Sequence, residues 1–286
     1  MKTIGVIANL KKEQAVESIR RVSELARGMG FTVYVESRAE TRCPSEQTCP
    51  VEFFAVKGVE AVAVLGGDGT MLDAAHRTAG QNLPLMGLNI GSLGYLTSVE
   101  EQRFGDALKL LRDGGFTVSH RSALEVSVER ANANAMPLPD ALNDVVLNRG
   151  TSGHAVKIDL LLSNQLVASV LCDGVIVATP TGSTAYSLSA GGPILLPDTP
   201  AIVISVICPH TLTSRPLVVR DNAEIKLRAA SCESPLVVCS DGRNGVPLLE
   251  GESVSVTRSP RGVSLIELDG YSPCDVLRRK LKWGGR

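Results

Sequence analysis

The chain has 286 residues, of which 44% are hydrophobic and 21% are charged, as in ordinary globular proteins. This length exceeds what one hydrophobic core commonly serves, so it predicts two domains. The formal net charge of −1 and the aromatic content of 3% provide neither a basic surface nor a stacking platform, so we expect neither nucleic acid nor a membrane as a partner.

The seven cysteines are scattered along the chain, and no two of them form a C-x-x-C pair. This pattern predicts reduced thiols in a cytoplasmic protein. Cys43 and Cys49 share one loop, and whether they pair, bind a metal or do neither stays open. The apolar run 3–8 ends at Asn9, too early for a secretion signal, and no run approaches the ~20 residues of a membrane-spanning helix.

The first part of the chain alternates apolar strands with amphipathic helices. We predict strands at 3–8, 31–35, 61–65 and 85–88. Helices are predicted from Val16 to Met29, from the glycine turn after Leu65 to about Ala79, and from Phe104 to Leu111. The alternation is typical of an α/β domain with a mostly parallel sheet covered on both faces.

Near Phe116 the pattern changes, and short strand signals separated by turn residues dominate. They lie at 124–128, 145–147, 156–162, 167–171, 175–178, 202–207, 217–219, 225–227, 236–239, 254–256 and 263–266. Their spacing predicts a β-rich domain built as a layered sandwich of antiparallel strands. We predict one helical interruption, Ser183 to Ala190, and a final helix, Cys274 to Trp283.

These changes place an α/β domain at 1–118 together with 270–286 and a β-rich domain at 119–269. Within the second domain, Ala131–Pro139 has low complexity and predicts an exposed hairpin loop, and Asp241-Gly242 predicts a hairpin turn.

The segment Gly66-Gly67-Asp68-Gly69-Thr70 joins a buried strand to a helix. Glycines let backbone N–H groups approach a ligand, and a helix N-terminus favours an anion, so the segment predicts a phosphate site. It is neither a Walker A loop nor a G-x-G-x-x-G motif, and it contains no lysine. A carboxylate beside phosphate is repulsive unless it binds a metal or accepts a proton, so Asp68 indicates chemistry as well as binding.

Further polar segments follow other strands. Asn89–Thr97 belongs to the same sheet edge, where ligands of α/β sheets gather. Asn143-Asp144 is typical either of a site for a sugar diol or of a turn. The stretch Thr179–Pro193 is dense in hydroxyl groups and glycines, which suit the edges of a purine and its ribose. His210 and Arg215 have the charge to neutralise phosphate, although an isolated histidine in a β domain is more often structural.

Together these segments resemble the NAD kinase family, and the resemblance runs from about Ile4 to the end of the chain. It implies an α/β N-terminal domain, a β-rich C-terminal domain and a homo-oligomer, either a dimer or a tetramer. The implied enzyme phosphorylates the adenosine-ribose 2′-hydroxyl of NAD to give NADP. It uses ATP or inorganic polyphosphate as the donor and a divalent metal such as Mg²⁺, for which we assign no metal-binding residues.

The resemblance also assigns roles to single residues. Asp68 takes or polarises the 2′-hydroxyl proton, and Asp173 lies toward the nicotinamide half. Phosphates are held by Gly67, Gly69 and Thr70. The adenosine part of NAD is held by Asn143 and Asp144, and the adenine pocket is lined by Thr181, Thr184, Ala185 and Tyr186.

Two positions depart from the family pattern. Many members have glutamate where this chain has Asp144, a shorter acid with the same chemistry. Many have glycine or serine where Cys172 precedes Asp173, so acceptance of NADH stays open. Two rival functions remain at this level: a kinase for a lipid or a sugar phosphate that shares the glycine segment, and a dinucleotide sensor without catalysis.

Overall fold

The computed structural model describes residues 1–91, 94–97, 99–130, 134–243 and 245–283. It divides into two compact units, of which unit 1 contains residues 1–120 and 263–286 and unit 2 contains residues 121–262. Among the described residues, no helix combines the length and the apolar character that crossing a membrane requires.

Unit 1 contains alternating strands and helices. Their bounds are β1 (Thr3–Ala8), α1 (Ala15–Gly28), β2 (Thr32–Glu36), β3 (Thr48–Cys49), β4 (Ala61–Gly66), α2 (Asp68–Arg77), β5 (Leu85–Asn89), β6 (Val99–Glu100), α3 (Phe104–Asp113) and β7 (Phe116–Arg121). Short 3₁₀ turns lie at Ser37–Ala39, Val51–Phe53 and Glu101–Arg103. Every residue of β4 is buried, which is typical of a strand covered on both faces. Helix α1 buries Ala15, Ile19, Val22 and Ala26 along one stripe.

Unit 2 consists almost entirely of strands. Their bounds are β8 (Leu124–Glu129), β9 (Met136–Ala141), β10 (Asp144–Asn148), β11 (Val156–Leu162), β12 (Gln165–Cys172), β13 (Gly174–Ala178), β14 (Ala201–Ile207), β15 (Leu217–Arg220), β16 (Ile225–Ser231), β17 (Leu236–Ser240), β18 (Val246–Leu248) and β19 (Ser253–Arg258). A 3₁₀ turn at Gly182–Thr184 precedes the single-turn helix α4 (Tyr186–Ser189). The chain then returns to unit 1 as β20 (Val263–Leu268) and α5 (Pro273–Leu281).

The described strands form three sheets. The sheet of unit 1 has the order β3-β2-β1-β4-β5-β20-β7, with β6 beside β5, and its pairs from β3 to β5 are parallel. Unit 2 has two six-stranded sheets, β15-β14-β13-β10-β17-β18 and β12-β11-β16-β19-β8-β9, whose ladders are antiparallel. Inward side chains of both, such as Val145 and Val254, form one core. The predicted fold class is confirmed: a mostly parallel sheet in an α/β unit and a layered β sandwich.

Three local predictions differ from the structure. The strand signal at 263–266 was assigned to the β-rich domain, but β20 lies between β5 and β7 in the sheet of unit 1. The loop predicted at Ala131–Pro139 is partly strand, because β9 pairs with β8, and its residues 131–133 lie outside the described residues. The helix predicted from Ser183 to Ala190 is a 3₁₀ turn followed by one helical turn.

Candidate functional site

The glycine segment joins β4 to α2 with two kinds of glycine. A Cβ on Gly66 would lie 2.1 Å from Thr70 Oγ1, so this glycine lets the first turn of α2 pack against the strand end. A Cβ on Gly67 or Gly69 would meet nothing within 4 Å, so these two leave open space beside their backbone. Packing therefore explains Gly66 alone, and the open sides of Gly67 and Gly69 are suited to a ligand at a helix N-terminus.

Asp68 is the first residue of α2, and main-chain groups orient its carboxylate. Oδ2 accepts a hydrogen bond from the N–H of Tyr95 at 2.9 Å, and Oδ1 accepts one from Leu96 at 2.8 Å. A Cβ on Gly94 would lie 2.0 Å from Asp68 Oδ1, so only glycine fits there. Each carboxylate oxygen keeps a second acceptor site, which leaves Asp68 able to accept a hydrogen bond from a hydroxyl.

A cleft of ≈ 510 Å³ lies beside the glycine segment, within unit 1. Gly67, Gly69 and Thr70 line it, and so do the three basic residues Lys11, Lys12 and Arg38. These three were not among the site residues predicted from the sequence. Lysines 11 and 12 follow β1, a neighbour of β4, so the rule that parallel strands end at one edge would have indicated them.

Buried Glu36 organises the basic side of the cleft. Its carboxylate, fully shielded from solvent, accepts hydrogen bonds from Arg38 Nε at 2.8 Å, Arg77 Nη1 at 2.7 Å and the N–H of Ala8 at 2.8 Å. Asp73, which also lines the cleft, pairs with Arg38 at 3.1 Å. This network fixes the Arg38 guanidinium, and Lys12 Nζ is fixed separately by donating to the carbonyl of Ile90.

In unit 2, Asn143 and Asp144 stand at the start of β10 and are held by Asp241. The Asp241 carboxylate accepts hydrogen bonds from three successive N–H groups: Leu142 at 2.8 Å, Asn143 at 2.7 Å and Asp144 at 3.1 Å. Asp241-Gly242 forms the predicted turn between β17 and β18. Asp144 is 5% exposed. Burial and then the charge of Asp241 raise the pKa of Asp144 to about 7, against a hydrogen bond from the N–H of Tyr186.

The segment from Thr179 to Tyr186 packs directly on the Asn143-Asp144 pair. Thr179 Oγ1 donates to the carbonyl of Leu142 at 2.6 Å, and a Cβ on Gly182 would lie 1.9 Å from the carbonyl oxygen of Asn143. The hydroxyl groups here were predicted to face a ligand, but several of them form hydrogen bonds within the protein. Ser183 Oγ donates to Pro180, and Thr184 Oγ1 donates to Thr181.

Thr181 differs from its neighbours. Its Oγ1 is buried and has no hydrogen-bond partner among the described residues, although a buried hydroxyl ordinarily has one. Tyr186 is the opposite case, because its side chain is 46% exposed while its N–H is bonded to Asp144. Thr181 and Tyr186 thus keep side chains that the loop itself does not use.

Asp173 lies apart from this group. It precedes β13, whereas Thr179 follows that strand, so at roughly 3.3 Å per residue the two are about 20 Å apart. Its Oδ1 pairs with Arg149 Nε at 3.0 Å. Burial raises the pKa of the preceding Cys172 thiol to about 11, which leaves that thiol unreactive. Cys43 and Cys49 are both free and buried.

The two remaining polar segments have different positions. His210 and Arg215 line a separate cavity of ≈ 540 Å³ in unit 2, whose walls include apolar side chains of β12 and β14. Two residues of the Asn89–Thr97 segment, Ser92 and Leu93, lie outside the described residues. The described part of that segment holds Asn89 at the end of β5 and the N–H groups that bond Asp68.

No group of three or more His, Cys, Asp or Glu side chains suited to a metal exists among the described residues. Mg²⁺ is ordinarily held by one or two carboxylates together with substrate phosphates. Of the described residues that line the cleft, Asp73 is the one carboxylate, and it is paired with Arg38. The donor set therefore does not fit a resident ion held by protein alone.

Solved structures resemble the whole chain in fold. Yeast NADH kinase in complex with NADH matches with a TM-score of 0.90 and 23% identity, covering 100% of this chain and 89% of that one. An NAD kinase from Archaeoglobus fulgidus in complex with ATP matches with a TM-score of 0.78 and 22% identity, covering 98% and 97%. At these identities the likeness concerns the fold.

The sequence comparisons show the family. Residues 4–116 match the family described as ATP-NAD kinase N-terminal domain, and residues 142–268 match ATP-NAD kinase C-terminal domain. The NAD kinase of Pseudomonas putida (strain W619) is 37% identical over 289 residues, covering 100% of this chain and 97% of the relative. The NAD kinase of Syntrophotalea carbinolica is 36% identical over 288 residues and covers 100% of both chains. The chain belongs to the NAD kinase family of phosphotransferases.

Proposed function

We propose that this chain transfers the terminal phosphoryl group of ATP to the 2′-hydroxyl of the adenosine ribose of NAD, producing NADP. The observation that carries the proposal is the environment of Asp68. Its carboxylate is oriented by two main-chain N–H groups, and it adjoins a glycine segment and a cleft with three basic side chains.

Asp68 is the proposed general base. A ribose hydroxyl is a poor nucleophile near neutral pH, so a carboxylate that accepts its proton assists the attack. The ribose oxygen forms a bond to the γ-phosphorus while the bond from that phosphorus to the β,γ-bridging oxygen breaks. ADP leaves with the electron pair, and Asp68 holds the proton.

The triphosphate binds to the glycine segment in this proposal. Gly67, Gly69 and Thr70 line the cleft at the positive end of α2, and together with the charges of Lys11, Lys12 and Arg38 they meet its negative charge. Mg²⁺ belongs to the substrate, since ATP arrives as its complex with the ion. Polyphosphate offers the same phosphate chemistry to these groups, and the assay below compares the two donors.

Unit 2 contains the residues that we propose bind NAD. Asn143 and Asp144 hold the adenosine part of NAD, with the amide and carboxyl matched to the hydroxyls of a ribose. Thr181, Thr184, Ala185 and Tyr186 line the adenine pocket, and the unpartnered Thr181 Oγ1 supports this placement. Asp173 is placed toward the nicotinamide half of NAD, which agrees with its separation from Thr179 along β13.

The test is a coupled assay with purified protein, NAD, Mg²⁺ and either ATP or polyphosphate, in which an NADP-specific dehydrogenase detects the product. We expect NADP from ATP. Binding of NAD without turnover would favour a sensor, and transfer of label from ATP to lipid vesicles without NADP formation would favour a lipid kinase. Either result would contradict the proposal.

Asp68→Asn keeps the shape of the side chain and removes the base. We expect kcat to fall by roughly 10²–10⁴, with a smaller change in KM for NAD. Asp106→Asn is the matched control, because Asp106 is an exposed acid in the first turn of α3. Near-normal turnover by the Asp68 variant would reject its assignment as a base.

We also propose a homo-oligomer in the cytoplasm. Leu166, Val167 and Leu171 are about half exposed on β12, which is an edge strand, and exposed apolar edges favour association. All seven cysteines are free, as thiols are in a reducing compartment. Sedimentation of the purified protein tests the assembly, and a monomer at micromolar concentration would contradict it.

A further inference from the structure

Asp241 differs from the other residues of the proposed site because it lies about a hundred positions from the segment that it holds. Its hydrogen bonds to Leu142, Asn143 and Asp144 span 99, 98 and 97 residues of sequence. The N–H of Asp241 also donates to the carbonyl of Asp144 at 2.9 Å. Four hydrogen bonds therefore join one turn to the start of β10.

These bonds determine the backbone of the pair that is proposed to bind adenosine. Three N–H groups that converge on one carboxylate are fixed in direction, and charge-assisted bonds of this kind are stronger than neutral ones. The carbonyl of Asn143 is fixed from its other side by the N–H of Thr179 at 2.9 Å. The side chains of Asn143 and Asp144 leave the backbone in directions that Asp241 controls.

Asp241 also acts on Asp144 through its charge. Burial and the Asp241 carboxylate both oppose the ionised form of Asp144, and the N–H of Tyr186 favours it. Among the described residues, Asp241 is the charged group that acts on the pKa of Asp144. The two strands beside β10, Gly174–Ala178 and Leu236–Ser240, and the segment Thr179–Ala185 contain no charged residue. Arg243 follows Asp241 in the same turn and is itself engaged in an interaction.

We propose that Asp241 is a positioning residue that holds Asn143 and Asp144 in place for the adenosine of NAD and makes the affinity for NAD depend on pH. The inference rests on the proposed function, in which Asn143 and Asp144 bind adenosine. Ribose hydroxyls donate more strongly to a carboxylate than to a neutral carboxyl group. NAD therefore binds more tightly once Asp144 has lost its proton.

The direction of the effect follows from the raised pKa. Asp144 is mostly neutral below a pH of about 7 and mostly ionised above it. Affinity for NAD therefore rises as the pH increases through this value. If only the ionised form binds, the affinity at about pH 6 is about tenfold weaker than at about pH 8.

Calorimetric titration of the full chain with NAD from about pH 5.5 to about pH 8.5 tests this. Asp241→Asn removes the charge and replaces acceptors with an amide that faces N–H donors. We expect the midpoint of the pH dependence to move to acid by about one unit or more, and the affinity at about pH 8 to fall about tenfold. Asp144→Asn should abolish the pH dependence.

Asp159→Asn is the matched control. Asp159 is another buried acid of unit 2, which accepts hydrogen bonds from Ser169 and Arg228 in the opposite sheet. This variant should lower the melting temperature and leave the pH midpoint for NAD unchanged.

An Asp241→Asn protein that kept the wild-type midpoint, whatever its stability, would overturn the inference. A wild-type protein that bound no NAD at any pH would instead reject the proposed NAD site. If Asp241→Asn does not fold, the titration of the Asp144 carboxyl group is measured in the wild-type protein by ¹³C NMR. The signal is assigned by its loss in Asp144→Asn. A midpoint for Asp144 near 7 supports the inference, and one in the ordinary range of aspartate overturns it.

Discussion

Asp68 depends for its orientation on a residue without a side chain. Gly94 leaves the space in which the Asp68 carboxylate reaches the N–H groups of Tyr95 and Leu96. A displacement of about 1 Å in a reacting group is enough to lower a rate by about 10². Gly94 is therefore expected to matter for catalysis although it contributes no chemical group.

Gly94→Ala tests this dependence. The added Cβ would overlap Asp68 Oδ1, so the carboxylate must move. We expect kcat to fall by about 10- to 100-fold with little change in KM for either substrate. Gly105→Ala is the control, because a Cβ there meets nothing within 4 Å and alanine favours a helix. The two variants are compared by steady-state kinetics at equal concentrations of folded protein. An equal kcat for both would contradict the role of Gly94.

Asp144 links the site to stability. Its pKa is raised to about 7 in the folded chain, so the folded state binds a proton more tightly than the unfolded state does. The free energy of unfolding therefore decreases as the pH rises from about 4 to about 7. We expect Asp144→Asn to be more stable than the wild type by about 1–3 kcal/mol at about pH 8 and to lose this advantage at acid pH. Urea unfolding at two pH values measures it, and an equal difference at both would contradict the pKa argument.

For single residues, sequence patterns predicted the site residues that lie in short motifs. They missed the residues that reach the site from distant positions in the sequence. The glycine segment and Asn143-Asp144 are local, and the structure places each where strand and turn signals predicted. Asp241 was predicted only as a turn residue, since its hydrogen bonds span 99, 98 and 97 positions. Nothing in a single sequence shows which distant turn meets which strand.

In the segment from Thr179 to Tyr186, most hydroxyl groups maintain the shape of the loop. Its hydroxyl groups were predicted to face a ligand, whereas Thr179, Ser183 and Thr184 bond to the protein. A segment without a long helix or a strand must satisfy its backbone groups in another way, and short hydroxyl side chains do so. Their density therefore maintains the shape of the loop, which then presents Thr181 and Tyr186.

Gly182→Ala tests the contact between this segment and Asn143. The new Cβ would lie 1.9 Å from a carbonyl oxygen, and no flexible side chain is available to relieve the overlap. We expect KM for NAD to rise about tenfold or more, with a smaller effect on kcat, and stability to fall by about 1–3 kcal/mol. Gly153→Ala, where a Cβ meets nothing within 4 Å, is the control. An unchanged KM would show that Asn143 does not depend on this contact.

Helices and strands were predicted correctly where the periodic hydrophobic pattern was long. The predictions were less accurate where that pattern was short. Helix α1 has a clear apolar stripe, and it lies close to its predicted range. The apolar signal of β20 predicts a strand but carries no information about its sheet, because pairing partners are set by contacts distant in sequence. Ala131–Pro139 was predicted as a loop because of its low complexity, yet Met136–Ala141 is the edge strand β9, where its two prolines are tolerated.

The whole molecule has one unit inserted into the other along the chain. Unit 2 begins at Arg121, the last residue of β7, and ends at Gly262, just before β20. These two residues meet, since a Cβ on Gly262 would lie 2.6 Å from the carbonyl oxygen of Arg121. Both sheets and the core of unit 2 lie within 121–262. The sheet of unit 1, in contrast, requires β20 between β5 and β7.

Fragments of the chain test this organisation. We expect 121–262 alone to unfold cooperatively, because its core is complete, and 1–120 alone to lack a cooperative transition. Joining 1–120 to 263–286 through a short glycine-serine linker should restore it, because the two ends of the removed unit are adjacent. Thermal unfolding followed by circular dichroism is the measurement. A cooperative 1–120 fragment would show that β20 is dispensable.

The main-chain hydrogen bonds to Asp68 have a consequence for how the sequence of such a protein changes during evolution. Main-chain N–H groups hold the Asp68 carboxylate, and every residue except proline has such a group. The side chains at positions 95 and 96 are therefore not needed to hold Asp68. The aromatic ring of Tyr95, which lies 5.7 Å from the Lys280 ammonium, is thus open to replacement. Side chains at positions 95 and 96 can therefore change in related chains without loss of the two hydrogen bonds that hold the Asp68 carboxylate.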